Sequence, residues 1–196
     1  MMVRVSSNDA GAKTPTTSPE LKGRSARRIA PMMAVIMVGI AALDQLVKQI
    51  MLNWLEPGVP FPVIGDFFRF YLLFNPGAAF SMGDNMTWLF TTIQLGFFLG
   101  ICIYAPRVRH RWIGVGLAFV AGGALGNVLD RLFRDPSFYV GHVVDYISVG
   151  SFAVFNIADA AISCGVVIFL IGMFLEDRET TAGGAGQRPD SGGGKR

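Results

Sequence analysis

Four aspartates, Asp44, Asp130, Asp145 and Asp159, sit in or beside apolar segments long enough to cross a membrane. That pairing limits what the chain can become. Backbone polar groups in hydrocarbon must be satisfied within the chain, so an apolar segment of about 20 residues is a spanning helix. A carboxylate in such a segment is costly and marks a functional site by default. Composition agrees: 52% of residues are hydrophobic and 16% charged, where an ordinary soluble domain carries roughly 25% charged residues.

Segment one runs from Ile29 to about Leu52, segment two from Met86 to Tyr104, segment three from Trp112 to about Leu132 and segment four from about Phe152 to Leu175. Lys22, Arg24, Arg27 and Arg28 precede segment one, and Arg107, Arg109 and Arg111 join segments two and three. The connection from Asn53 to Asn85 has Arg69 as its one basic residue. The Lys/Arg bias therefore predicts both termini in the cytoplasm. Arg131 and Arg134 in the third connection pull the other way, and the parity of four crossings outweighs them. The net charge of +3 is read as topology, not as nucleic-acid binding. At a rise of 1.5 Å per residue, Asp44 lies about 22 Å and Asp130 about 27 Å from the inner end of a core about 30 Å thick. Asp159 falls near the outer start of segment four, with Asp145 in the connection before it. All four carboxylates are thus predicted near the outer face of the membrane.

The expected architecture is mainly α: a polytopic membrane domain over residues 29–176 with four transmembrane helices. Residues 1–28 and the Gly-rich residues 177–196 read as disordered cytoplasmic tails. The start of the chain does not read as a secretory signal, since the apolar run after it lacks a small-residue cleavage site. Between helices one and two, the run Phe67-Phe68-Arg69-Phe70-Tyr71-Leu72-Leu73-Phe74 predicts one or two strands of a small extracytoplasmic sheet. A short helix is expected from about Ala78. Cys102 and Cys164 fall in apolar runs and read as small core residues, not as a disulfide.

The densest motif is Gly122-Gly123-Ala124-Leu125-Gly126-Asn127-Val128-Leu129-Asp130-Arg131. Gly122 and Gly126 make a small-xxx-small face for close helix approach. Asn127, Asp130 and Arg131 share one helical face. Packing accounts for the glycines but less well for the three polar groups. In Phe155-Asn156-Ile157-Ala158-Asp159, Asn156 is a candidate helix cap. Asp159 gains from the helix dipole, but its depth favours function. Val143-Val144-Asp145-Tyr146-Ile147 reads as a strand or the opening of a helix. An Asp in a connection is usually just solvated, and Asp145 draws its weight from lying close to Asp159. Asp44 and Lys48, four apart, are either a neutralised pair or a support for the site. Asn75-Pro76-Gly77-Ala78-Ala79-Phe80-Ser81 is a turn into small residues, where a substrate backbone could come close. His142 lies near Asp145, but with two His in the chain no metal site or other cofactor is expected. No Ser-His-Asp or Cys-His set and no phosphate loop is evident. The residues alone leave open whether Asp130 or Asp145 pairs with Asp159.

Taken in order, Asp44-Gln45 with Lys48, the Asn75–Ser81 turn, the Gly122–Arg131 run, Val143-Val144-Asp145 and Phe155–Asp159 resemble the bacterial lipoprotein signal peptidase (signal peptidase II) family. The resemblance spans about Asp44 to Asp159. It implies an aspartic endopeptidase of the membrane that removes signal peptides from diacylglyceryl-modified prolipoproteins, cutting before the lipid-bearing Cys. It implies Asp145 and Asp159 as the catalytic dyad. Asn75, Asn127, Arg131 and Asn156, with Gly77 in the turn, then lie around substrate, and Asp44, Lys48 and Asp130 are supporting charges. Expected partners are prolipoprotein substrates and membrane lipids, with the protein a monomer and no nucleic acid involved.

The chemistry fits such a set. Two close carboxylates share a proton, so one can activate water while the other protonates the carbonyl. One rival is a small proton-linked transporter or channel, since intramembrane Asp also marks ion paths. Against it, the acids gather at one face and segment two carries no charge. A structural membrane subunit is a second rival, with packed glycines and paired charges.

Overall fold

The computed structural model describes residues 19–77 and 86–185. Four long helices, α1 (Pro19–Trp54), α2 (Thr87–Tyr104), α3 (Arg111–Phe133) and α4 (Ile157–Ala185), carry a sheet of three strands, β1 (Pro60–Ile64), β2 (Phe68–Asn75) and β3 (Val143–Val149). Each helix contains a stretch long and apolar enough to cross a membrane. The chain is a multi-pass membrane protein.

Helix α3 is the central post. About half of its spanning stretch is buried (56%), against 22%, 17% and 22% for those of α1, α2 and α4. The reason lies in its small residues. Gly114, Gly116, Ala118, Ala121, Gly122, Gly123, Ala124 and Gly126 are all buried, so neighbouring backbones can close in, and tight packing is what holds helices together in lipid. The faces divide the work. A methyl at Gly122 would strike Met37 and Ile40 of α1, and one at Gly126 would stand 2.6 Å from Oδ2 of Asp44. A methyl at Gly123 would strike the carbonyl of Ala158 in α4. The small-xxx-small pair thus seats α1, and the next position round seats α4. Helix α2 packs on the remaining side of α3.

The sheet is antiparallel in the order β1-β2-β3. Its register sets the site: Leu73 lies opposite Asp145 and Asn75 opposite Val143. A bulge between Phe70 and Leu73 shifts the pairing. Leu72, Val144 and Tyr146 are fully buried and, with Leu55, anchor the sheet to the end of α1.

Several boundaries differ from expectation. Strand β1 escapes the pattern because Pro60 and Pro62 read as breakers; as an edge strand it tolerates them. The segment around Asp145 is a strand. Helix α4 begins at Ile157, not near Phe152, because Phe155 is held by backbone bonds to Tyr146 and Ile147. Helices α1 and α4 extend past the apolar core, from Pro19 and to Ala185, through residues assigned above to the tails. Cys102 is partly covered and Cys164 is exposed; both are free. Cys164 faces outward on α4 and is not a core residue. The helix expected from Ala78 lies outside the described residues, as do residues 1–18 and 186–196.

Candidate active site

Two pairs of carboxylates meet where the C-terminal part of α1, the last turns of α3, the first turn of α4 and the sheet converge. Asp44 and Asp130 form the first pair, with Lys48 between them. Its ammonium has three donors, and each finds an acceptor: Asp44 Oδ2 at 2.8 Å, Asp130 Oδ2 at 2.7 Å and Asn127 Oδ1 at 2.9 Å. Arg134 Nε donates to Asp130 Oδ1 at 2.6 Å, one helical turn on. Gln45 Nε2 donates to the same oxygen at 3.0 Å and to the carbonyl of Gly126 at 2.9 Å. The Asp44, Lys48 and Asp130 side chains are wholly buried. Two acids thus meet two bases, which makes such burial tolerable.

The spare lone pairs of this cluster tie elements together. Asp44 Oδ1 accepts from the backbone N–H of Ala158 at 3.0 Å, so α1 caps the start of α4. Asp130 Oδ2 accepts from the N–H of Val144 at 3.2 Å, which fixes β3 against α3.

Asp145 and Asp159 form the second pair, and their surroundings differ in kind. Each takes amide donors, and among the described residues no cation lies within ion-pair distance of either. Asn75 Nδ2 donates to Asp145 Oδ2 at 2.8 Å, and Asn156 Nδ2 to Asp145 Oδ1 at 2.6 Å. Asn127 Nδ2 donates to Asp159 Oδ1 at 2.8 Å. The N–H of Asn156 donates to Asp159 Oδ2 at 3.3 Å, while the N–H of Asp159 donates to Asn156 Oδ1 at 3.0 Å. This reciprocal pattern is a capping box built from Asn and Asp. Asn156 is therefore both cap and link: one residue touches both carboxylates and also Asn127 Oδ1, at 3.2 Å. Asp145 is 1% exposed, and Asp159 is partly open. Burial pushes the Asp145 carboxyl up to about 7; the Asn75 bond opposes this and the charge of Asp159 adds to it.

The Asn75 turn is held from three sides. Asn75 Oδ1 accepts from the N–H of Gly77 at 2.7 Å. Gly77 has φ +104°, where a side chain would be strained, and a methyl there would strike the Phe90 ring. The carbonyl of Pro76 accepts from Thr87 Oγ1 at 2.7 Å and from Arg131 Nη1 at 3.3 Å. Arg131 Nε donates to Gln94 Oε1 at 3.3 Å. Arg131 thus braces the turn against α2, within electrostatic reach of Asp145 and Asp159.

Every residue singled out in the sequence falls in this one assembly: Asp44, Lys48, Asn75, Gly77, Asn127, Asp130, Arg131, Asp145, Asn156 and Asp159. The remainder of the Asn75–Ser81 motif, from Ala78, lies outside the described residues. His142 contributes a backbone N–H to the carbonyl of Asp135. No group of three His, Cys, Asp or Glu among the described residues is placed to hold a metal ion. Three contributors were missed. Arg134, four past Asp130, carried a helix-pair signal but was read as topology. Gln45 stood beside Asp44 without a role. Gln94 lies in a segment marked only by its lack of charge.

Comparison with known proteins gives a consistent result. The family model described as signal peptidase (SPase) II matches residues 36–175. The lipoprotein signal peptidase of Rhodococcus jostii is 44% identical over 140 residues, covering 71% of each chain. That of Mycobacterium avium is 40% identical over 157 residues, covering 80% of this chain and 86% of the relative. A solved structure described as a bacterial membrane enzyme superposes with a TM-score of 0.65 at 26% identity, over 76% of this chain and 91% of that one.

Proposed function

The chain belongs to the signal peptidase II family, and we propose that it is an aspartic endopeptidase that removes signal peptides from diacylglyceryl-modified prolipoproteins, cutting before the lipid-bearing Cys. One observation carries the aspartic mechanism: Asn156 binds both Asp145 and Asp159, and both carboxylates are held by amides, not neutralised by cations. Such a pair can hold and pass a proton, whereas Asp44 and Asp130 are tied to Lys48 and Arg134.

In this reading Asp145, raised to about 7 by its burial, is the proton donor. Asp159 takes a proton from water as the water oxygen attacks the scissile carbonyl. Asp145 gives its proton to the carbonyl oxygen, leaving a neutral gem-diol. Collapse of the diol returns a proton to Asp145 while Asp159 protonates the leaving nitrogen, and the pair is restored. The Asn75–Gly77 turn, braced by Arg131, positions Asp145 and offers backbone to an extended substrate. Asn127 orients Asp159 with its amide nitrogen while Lys48 holds its oxygen.

The Lys/Arg pattern supports both termini in the cytoplasm and the dyad near the outer face. A substrate whose diacylglyceryl chains stay in the outer leaflet can then bring its peptide to the carboxylates. We take the working unit to be the monomer, since one chain supplies both carboxylates and their donors Asn75, Asn127 and Asn156. The transporter or channel reading gains no support from the relatives, and it leaves the Asn156 link without a purpose.

The test is cleavage of a prolipoprotein by the purified protein, followed by gel shift, with and without the diacylglyceryl group. Release of the signal peptide from the modified substrate alone is expected. No release from either form, by protein that remains folded, would overturn the assignment.

A further inference from the structure

Along the sheet from the carboxylates lies a cavity of about 280 Å³, lined among others by Arg69, Tyr71, Ser148, Ser151 and Phe152. Ser148 is three residues from Asp145 along β3, so about 10 Å away by strand rise. Arg69 and Ser148 are register partners across β2 and β3. The guanidinium has five donors. Among the described residues its one bond is Nη2 to Ser148 Oγ, at 3.4 Å. Its Nε is buried without a partner, no Asp or Glu lines the cavity, and no carboxylate lies within ion-pair distance. An Arg serving only the fold would either pair or run its head into water. This one presents most of its fork to a cavity that also offers hydroxyls.

The surroundings select the ligand. Phe61, Val63, Ile64, Phe67 and Phe152 are all exposed on this sheet and its turns. Phe67 accepts through its carbonyl from the N–H of Gly150, which lines the cavity, and Pro60 of β1 lines it too. Trp54 ends α1 and packs on Phe61 at 4.9 Å and Phe70 at 5.7 Å, an aromatic anchor of the kind found at a membrane boundary. A cationic fork beside an apolar fringe at that level matches an anion that carries acyl chains. We propose that this cavity binds the phosphodiester of a membrane phospholipid, with Arg69 as the phosphate ligand, Tyr71, Ser148 and Ser151 as hydroxyl donors, and the exposed aromatics against the chains. A planar guanidinium suits such an oxyanion. The site would hold the sheet down on the membrane and is independent of the hydrolytic reading.

The test uses the full-length protein in a maltoside detergent, which carries no phosphate. Native mass spectrometry and thermal unfolding follow titration with phosphatidylglycerol, with diacylglycerol bearing the same chains, and with inorganic phosphate. Wild type should bind one phosphatidylglycerol roughly tenfold or more tightly than Arg69→Gln does, the effect of losing a charge-assisted bond. Arg69→Lys should fall between them, and diacylglycerol should bind wild type and variant alike. Cleavage by Arg69→Gln in detergent should be unchanged. Equal retention of phosphatidylglycerol by wild type and Arg69→Gln would overturn the proposal. So would protection by inorganic phosphate equal to that by the lipid, or displacement of the lipid by an acidic peptide. Should Arg69→Gln not fold, Arg69→Lys and the comparison of phosphatidylglycerol with diacylglycerol on wild type still decide.

Discussion

Two carboxylate pairs sit a few residues apart and are solvated in opposite ways. Asp44 and Asp130 are neutralised by Lys48 and Arg134, wholly buried, and bonded onward to the backbones of Ala158 and Val144. Asp145 and Asp159 receive donors from Asn75, Asn127 and Asn156, and among the described residues no cation lies within ion-pair distance of either. A carboxylate bonded to Lys48 or Arg134 has its oxygens committed to holding elements together. One held by amides is positioned without a counter-charge. In the proposed function the first pair builds the frame and the second does the chemistry.

The sharpest way to break this contrast is to neutralise one member of each pair. Asp145→Asn and Asp159→Asn should each lower cleavage of a diacylglyceryl-modified prolipoprotein by three orders of magnitude or more, about 4 kcal/mol of barrier. Melting temperature in detergent should barely move. Lys48→Met should do the reverse in kind. It leaves buried Asp44 without its cation and Asp130 with Arg134 alone, and should cost about 3–5 kcal/mol of stability, read as a large fall in melting temperature with activity lost as a consequence.

Asn127→Ala and Arg131→Ala probe the border between the pairs. Asn127 touches Lys48 on one side and Asp159 on the other, and Arg131 braces the Asn75 turn. Both should reduce turnover by about ten- to a hundredfold with a modest loss of stability, as a misplaced reacting group does. Gly126→Leu is the contrast: it drives a side chain into Asp44 and should lower melting temperature and turnover together. Full activity in Asn127→Ala and Arg131→Ala would shrink the working site to the two aspartates.

Half of this contrast was legible in the sequence. Asp44 and Lys48 are one helical turn apart, so their pairing could be read directly. The convergence of the acids followed from counting residues along the helices. The role of Asp130 could not be read. It stands 82 positions from Lys48 (130 − 48), and helix geometry alone does not say that Gly126 lets α1 close enough for the ammonium to reach it. Residues alone therefore left Asp130 and Asp145 equal, and the aim of Lys48 and Arg134 at Asp130 favours Asp145 in the proposed dyad. Asn156 was read as a cap or a site residue and serves as both, because its oxygen caps α4 while its nitrogen binds Asp145. Strand β1 and the start of α4 were hidden for local reasons: two prolines in the first, and an apolar Phe152–Phe155 run resembling helix in the second.

The last expected effect concerns pH and stability. Asp145 has a raised carboxyl in the fold, so the folded state binds more protons than the unfolded one between about pH 4 and 7. Stability from this group is therefore greatest at low pH and is lost as pH rises through about 7. Melting temperature of wild type should decline over that range, and Asp145→Asn should decline less.

The most direct test of the whole account is the pH dependence of kcat/KM for wild type beside Asp44→Asn, in one detergent and with one diacylglyceryl-modified substrate. If Asp145 donates the proton, kcat/KM falls as pH rises through about 7, and the same descending limb persists in Asp44→Asn at whatever activity that variant retains. A kcat/KM flat across that range in wild type, or a limb that vanishes with Asp44, would place the working proton in the wrong pair.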